Sequence, residues 1–326
     1  MMIVAEVGAN HLGSLSRALS HIEWAKHVGA DAVKFQAYTA DSLTLNHDGP
    51  GFIVMQKGPW QGRKLYDLYK EAETPFEWFP ELFQRANAIG IKIFASAFDR
   101  ASVDLIHSLG ACAIKIASFE ITDTNLISYA ASTKLPLILS TGMASNAEIL
   151  EAIDSAKGAE SITLLHCISA YPAKTEEYNI ARIGQLQMNF GVEVGLSDHT
   201  LGVAMPVAAT VLGATIIEKH FTLSRSKGGP DASFSMEPEE FKEMVSAVRV
   251  TKEALRNNPQ EEPYRNLRRS LYVVKDIQAG ETFTNDNVRS IRPGHGLAPH
   301  YYNRVIRMKA AKKIARGTPL DIDLIL

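Results

Sequence analysis

Two histidines close neighbouring β-branched runs late in the chain. His199 ends Val192-Glu193-Val194-Gly195-Leu196-Ser197-Asp198-His199, and His220 ends Ala214-Thr215-Ile216-Ile217-Glu218-Lys219-His220. An apolar stretch of helical length lies between them. Strand, helix, strand with a histidine at each strand's end brings two imidazoles to the mouth of one parallel sheet. Two neutral imidazoles facing one cavity suit a divalent metal; the competing reading is a pair of core histidines satisfied by hydrogen bonds. With two protein nitrogens, water and substrate oxygen would complete the shell and leave the open positions a catalytic ion needs. Glu6, on the first strand, adjoins the eighth strand if the sheet closes. There it would ligate through water, act as a base, or pair with a lysine.

Lys34 and Lys115 end two further runs, Val33-Lys34-Phe35-Gln36 and Ile114-Lys115-Ile116-Ala117-Ser118. A lysine buried unpaired among β-branched residues is unfavourable. One reading is a buried ion pair with a carboxylate. Another is a Schiff-base lysine. The third is an anion site, in which both ammoniums and the hydroxyls of Ser96, Ser118, Ser140 and Ser197 surround a phosphate or carboxylate, and several serines beside two lysines favour it. Ser140-Thr141-Gly142-Met143 leads towards a helix start, which also accommodates anions. Gly228-Gly229-Pro230-Asp231 follows the last strand as a turn; it either carries Asp231 into the cavity or stays solvated.

These residues need a scaffold that gathers strand ends. Strand patterns fall at 3–7, 32–36, 92–95, 113–117, 137–140, 163–168, 193–196 and 215–219, with helical patterns at 14–28, 80–89, 101–109, 125–132, 146–157, 180–189, 203–212 and 238–255. Gly29, Gly90, Gly110, Gly191 and Gly213 follow helical segments as C-terminal caps, and Ser145 opens one with Glu148 in its first turn. Eight strand–helix units over about 250 residues predict a (β/α)8 TIM barrel. A doubly wound sheet is the alternative, but it gathers ligand groups at one switch point, whereas here nearly every strand ends in a polar residue. The unit after the second strand is oversized: residues 37–79 carry Pro50, Gly51, Gly58 and Pro59 and form a candidate lid. The predicted organisation is a catalytic barrel over 1–256, a polar linker over 257–267 and a small domain over 268–326, marginal alone at about 60 residues.

Composition narrows the function. The chain has 326 residues, 34 Lys plus Arg and 36 Asp plus Glu, for a net charge of −2. That balance argues against a nucleic-acid partner, which requires a basic footprint. The two cysteines, Cys112 and Cys167, sit in apolar runs and are expected to be reduced core residues of a cytoplasmic protein. No secretory signal is expected from Met1-Met2-Ile3-Val4-Ala5-Glu6. The longest uncharged stretch, 200–217, contains Gly202, Pro206 and Gly213, so a helix and a buried strand are expected there, not a membrane span.

Taken together, several runs resemble the N-acetylneuraminate synthase family of phosphoenolpyruvate-dependent nonulosonate synthases. They are Ala5-Glu6-Val7-Gly8-Ala9-Asn10-His11, Ala30-Asp31-Ala32-Val33-Lys34-Phe35-Gln36, Ile114-Lys115-Ile116-Ala117-Ser118-Phe119-Glu120, Ser140-Thr141-Gly142-Met143, Gly195-Leu196-Ser197-Asp198-His199-Thr200 and Glu218-Lys219-His220-Phe221-Thr222. The tail resembles the SAF, or antifreeze-like, domain that follows the barrel in that family. Gly228-Gly229-Pro230-Asp231-Ala232 and Ser169-Ala170-Tyr171-Pro172 resemble the pseudaminic acid synthase branch. Sialic acid synthases tend to have Pro-Gly-Pro-Asp-His at the first of these, and an asparagine where Ser169 stands. Leu12 also departs, standing where an asparagine is common.

The resemblance implies a reaction: phosphoenolpyruvate condenses with an open-chain acetamido hexose to give a nine-carbon acid and phosphate. It implies Mn²⁺, or Mg²⁺ or Co²⁺, on His199 and His220, with Glu6 and Lys115 also catalytic. It implies phosphoenolpyruvate binding by Lys34, Ser96, Lys115, Ser118, Ser140, Ser169 and Ser197. Gln36, Glu120, Tyr171 and Asp231 would face the sugar. Arg292 would reach it from the SAF domain of the other subunit in a domain-swapped homodimer. A Schiff-base or metal aldolase and a non-catalytic sugar-binding barrel are the rival readings.

Overall fold

Short β-branched runs alternating with amphipathic segments build a closed parallel barrel. The computed structural model describes residues 1–56, 58–256 and 262–326. Among these, eight strands close the barrel in sequence order: β1 (Met2–Glu6), β2 (Ala32–Ala37), β3 (Lys92–Ala97), β4 (Ile114–Ile116), β5 (Leu137–Ser140), β6 (Ile162–His166), β7 (Glu193–Asp198) and β8 (Ile216–His220). β8 pairs back onto β1, with Glu6 opposite His220. Helices α1 (Leu15–His27), α4 (Phe79–Ile89), α5 (Arg100–Ser108), α6 (Thr124–Ser132), α7 (Asn146–Ser155), α8 (Arg182–Phe190), α9 (Ala204–Val211) and α10 (Pro238–Ala254) follow the strands in turn. Two short helices, α2 (Ala40–Leu43) and α3 (Leu65–Ala72), belong to the insertion between β2 and α4.

Local chemistry fixes the helix ends. Ser145 and Glu148 form a capping box at the start of α7, as do Asp99 and Ser102 at α5. Gly90 and Gly191 close α4 and α8 in the left-handed conformation. The apolar faces pack into one core that includes Ile22, Phe79, Phe94, Ile127, Ile149 and Phe241.

The chain divides into two compact units, Met1–Leu255 and Arg256–Leu326. Residues 257–261 of the expected linker lie outside the described residues; a 3-10 helix, Glu262–Leu267, follows. The second unit contains an antiparallel pair, β9 (Ser270–Val273) and β10 (Val288–Ile291), and helix α11 (Tyr302–Val305). Its own core gathers Leu271, Val273, Phe283, Val288, Ile314 and Leu320. No helix among the described residues is long and apolar enough to cross a membrane.

Candidate active site

Barrel register decides which side chains meet. Residues paired across parallel strands share a face, and residues two apart on a strand return to it. Glu6 is opposite both His220 and Lys34, Gln36 is opposite Ser96, Ser96 is opposite Lys115, and Ser197 is opposite Glu218. All of these line one inner cavity, with Ser118, Ser140, Cys167, Tyr171 and His199. Lys219 falls on the other face. It pairs with Asp198 and donates to the carbonyl of Thr200, outside the cavity. The Thr141 hydroxyl likewise turns away, towards the Leu165 carbonyl.

The cavity floor is an ion-pair network. Lys34 Nζ lies 3.1 Å from Glu6 Oε2, 3.3 Å from Glu218 Oε1 and 3.1 Å from Ser96 Oγ. Lys115 Nζ reaches both Glu218 oxygens, at 3.1 and 3.2 Å. Ser197 Oγ donates to Glu218 Oε1 over 2.9 Å, and Gln36 Nε2 donates to Glu6 Oε1 over 2.7 Å. The ion-pair and anion-site expectations for the lysines are therefore not exclusive: carboxylates hold the ammoniums in place beneath a ring of serines.

Environment separates the two carboxylates. Burial pushes Glu6 up and Lys34 pulls it down, but repulsion from Glu218 leaves it raised. Burial also acts against the Glu218 anion, yet Lys115 and Lys34 hold it well below the usual carboxylate range. The two carboxylates therefore differ: Glu218 is held as the anion, whereas Glu6 is pushed towards its protonated form. Burial lowers Lys115, and the two ammoniums repel, while Glu218 opposes the shift. Lys34, facing both carboxylates, is raised despite its burial.

The two imidazoles stand 5.6 Å apart, centroid to centroid. Burial pulls His199 down to about 4 and puts His220 well below the usual imidazole range, with repulsion from His199 added. Both rings are thus neutral at pH 7. His199 Nδ1 donates to the Ile168 carbonyl over 2.8 Å, which leaves the Nε2 lone pair free. His220 Nδ1 is buried without a hydrogen-bond partner. Two neutral, buried imidazoles with uncommitted nitrogens in a polar cavity fit a divalent cation. Among the described residues no cluster of three or more His, Cys, Asp or Glu gathers as a cage, so water and substrate oxygen would supply the other ligands.

A second cavity adjoins the first and shares Gln36, Phe98, Ala117, Phe119, Tyr171 and His220 with it. Asp231 lines this outer space and is buried, so the Gly228–Asp231 turn does carry its carboxylate inward. Asp231 Oδ2 accepts from the Ala9 amide over 2.8 Å and lies 3.7 Å from His220 Nδ1. Burial raises its carboxyl to about 7. Gly8, at φ 49°, makes this approach possible, because a Cβ there would overlap Asp231 Oδ2. The insertion does reach the site. Trp60 Nε1 donates to the Pro230 carbonyl over 2.9 Å, and its ring lies 5.3 Å from Tyr171, itself 4.3 Å from His199.

Three expected residues stand apart from these linings. Ser169 packs against Gly142, with its hydroxyl buried and unpartnered. Glu120 has a buried, unpartnered Oε2, and burial raises its carboxyl to about 7. Arg292 is an exposed residue of the second unit. Sequence reasoning missed Glu218, Cys167 and Trp60. Strand alternation held the signal for the first two: Glu218 is two residues before His220, and Cys167 two after the inward Leu165.

A closed parallel barrel whose strand ends surround one polar cavity defines the architecture of an α/β-barrel enzyme. The family model for the NeuB family matches residues 21–260, and that for the SAF domain matches residues 268–326. The chain belongs to the NeuB family. It is 44% identical over 329 residues to the pseudaminic acid synthase of Helicobacter pylori, covering 98% of this chain and 96% of that protein. The N,N'-diacetyllegionaminic acid synthase of Legionella pneumophila is 37% identical over 330 residues, covering 98% and 92%. Among solved structures, the N-acetylneuraminic acid synthetase of Leptospira borgpetersenii in complex with citrate is similar, with TM-score 0.71, 33% identity and coverage of 81% and 91%.

Proposed function

We propose that this chain is a transferase that condenses phosphoenolpyruvate with 2,4-diacetamido-2,4,6-trideoxy-L-altrose, giving pseudaminic acid and phosphate in the cytoplasm. The observation that carries the reading is the paired cavity, whose inner part holds lysines and serines suited to an enol phosphate. Its outer part holds polar groups beside aromatic walls suited to an acetamido sugar. Similarity to pseudaminic acid synthases over nearly the whole chain supports the choice of sugar.

His199 and His220 would hold Mn²⁺, Mg²⁺ or Co²⁺. When bound, such a cation supplies Lewis-acid polarisation of a carbonyl oxygen. Lys34, Lys115 and the hydroxyls of Ser96, Ser118, Ser140 and Ser197 bind the phosphate and carboxylate of phosphoenolpyruvate, with Ser169 behind Gly142. Gln36, Tyr171, Asp231 and Glu120 orient the open-chain sugar, with its aldehyde at the seam marked by His220. Carbon 3 of phosphoenolpyruvate forms a bond to the aldehyde carbon as the C=O π electrons move to oxygen, and the resulting alkoxide takes the proton that Glu6 carries. Water adds to carbon 2, and phosphate leaves with the electrons of its C–O bond as the new hydroxyl on carbon 2 becomes the keto oxygen and passes its proton to the departing phosphate. Glu6, raised by burial and by Glu218, accepts the proton from that water. Glu218 stays anionic and fixes both lysines. Holding two substrates in register supplies much of the rate advantage.

In this reading the assembly is a domain-swapped homodimer, in which Arg292 serves the sugar of the other copy. Mixing inactive Lys115→Ala with inactive Arg292→Ala would then restore activity; no restoration contradicts the swap. The substrate reading is tested by phosphate release with phosphoenolpyruvate, Mn²⁺ and one of three sugars. The trideoxy altrose should outpace N-acetylmannosamine and the legionaminic precursor, and a faster rate with either alternative would replace the assignment.

A further inference from the structure

The outer cavity has a wall that the chemistry above does not use. Trp60, Leu68 and Ala72, all from the β2–α4 insertion, face it together with Phe98, Ala117 and Phe119. The indole N–H of Trp60 is the one polar side-chain group among these six, and it is already engaged by the Pro230 carbonyl. Of the polar groups of the same cavity, Gln36 and His220 come from barrel strands, Tyr171 and Asp231 from the loops after β6 and β8, and Tyr38 from the first residue of the insertion, where it leaves β2. A hydroxyl laid against Trp60, Leu68 and Ala72 would leave water and find no free hydrogen-bonding group on those three side chains. A methyl there would be buried favourably.

We infer that the insertion selects the far end of the sugar: it takes a deoxygenated, methyl-bearing end in preference to a hydroxymethyl, with Trp60 and Leu68 as specificity-determining residues. This rests on the reading that the outer cavity receives the acetamido sugar. Trp60 is suited to the role because Pro230, Tyr171 and Phe234 hold its ring, the last at 6.1 Å. Leu68 is buried on α3, and Ala72, one turn further on, leaves room beside it.

The test uses two sugars that differ by one oxygen: 2,4-diacetamido-2,4,6-trideoxy-L-altrose and its 6-hydroxy counterpart. An apolar pocket discriminates such pairs by about 10–100-fold, so wild-type kcat/KM should favour the trideoxy sugar by that order. Leu68→Gln and the less buried Trp60→Ala should bring the ratio towards unity, mainly through KM for the sugar, with KM for phosphoenolpyruvate unchanged. A wild-type ratio retained in both variants, or a wild-type preference for the hydroxymethyl sugar, overturns the inference. Calorimetric titration of the same pair into the full-length protein keeps the two readings distinct. Absence of turnover with both sugars would overturn the synthase reading, while the ratio of binding constants still decides the wall: unequal binding supports it and equal binding overturns it.

Discussion

Lys115 Nζ sits within hydrogen-bond distance of both carboxylate oxygens of Glu218, at 3.1 and 3.2 Å, although 103 positions separate the residues in sequence. Both side chains are almost fully buried. The pair therefore lives in a low-dielectric setting, where removing one partner leaves an uncompensated charge. Lys34 shares the same carboxylate, so one glutamate organises the cation pair that the proposed reaction uses.

Glu218→Gln should destabilise the barrel by about 3–5 kcal/mol, the range for breaking a buried ion pair, and should raise KM for phosphoenolpyruvate. Urea unfolding with and without phosphoenolpyruvate measures this. A loss below about 1 kcal/mol, the range of an exposed pair, would show that the network is not under tension from its burial.

Gly8→Ala places a Cβ against the Asp231 carboxylate and forces alanine into φ 49°. The backbone term alone is about 1–2 kcal/mol. The expected outcome is a lower melting temperature together with a higher KM for the sugar, because Asp231 must move. Unchanged sugar kinetics would argue that Asp231 does not face that substrate.

Adding Mn²⁺ to metal-free protein should raise the melting temperature of the wild type. Saturation at 100 times the dissociation constant stabilises by about 2.7 kcal/mol. His199→Ala and His220→Ala should show no such rise. A full Mn²⁺ response in either variant would remove that histidine from the metal site.

Glu120 supplies a pH signature. Burial raises its carboxyl from 4.5 to about 7, so between those values the folded chain keeps a proton that the unfolded chain has lost. Folding stability contributed by this group is present below pH 4.5 and declines as pH rises to about 7. Relative to Glu120→Gln, the wild type should lose up to about 1.4 kcal/mol per pH unit in that window. Chemical denaturation at several pH values checks it; parallel pH profiles for the two proteins would place the Glu120 carboxyl in a water-like setting.

Periodicity made most of the barrel legible. β5 spans 137–140, the range its pattern predicts, and the other strands shift by a residue or two. β7 runs on to Asp198 because its ladder continues opposite Lys219. α8 starts at Arg182, later than the pattern predicts, after Asn179 takes a positive φ. The strand-end polar residues were visible, but which of them face inward depends on alternation. Lys219 and Thr141 share the composition of the site and lie on the wrong face, whereas Glu218 was passed over as a neighbour of His220. Cys167 looked like core and is buried, yet it lines the cavity with Ser118, 3.1 Å away. Trp60 was beyond reach, since no short-range pattern tells which residue of a long insertion folds back over a distant loop.

The central claim is that enol phosphate and aldehyde meet between these two cavities, and that phosphate departs by C–O cleavage. Phosphoenolpyruvate carrying ¹⁸O in its bridging position, incubated with the full-length protein, Mn²⁺ and the trideoxy diacetamido altrose, tests it most directly by mass spectrometry. The account predicts a nine-carbon acid without the label and an equal amount of phosphate that carries it. Label in the acid, or phosphate released equally without sugar, would contradict it.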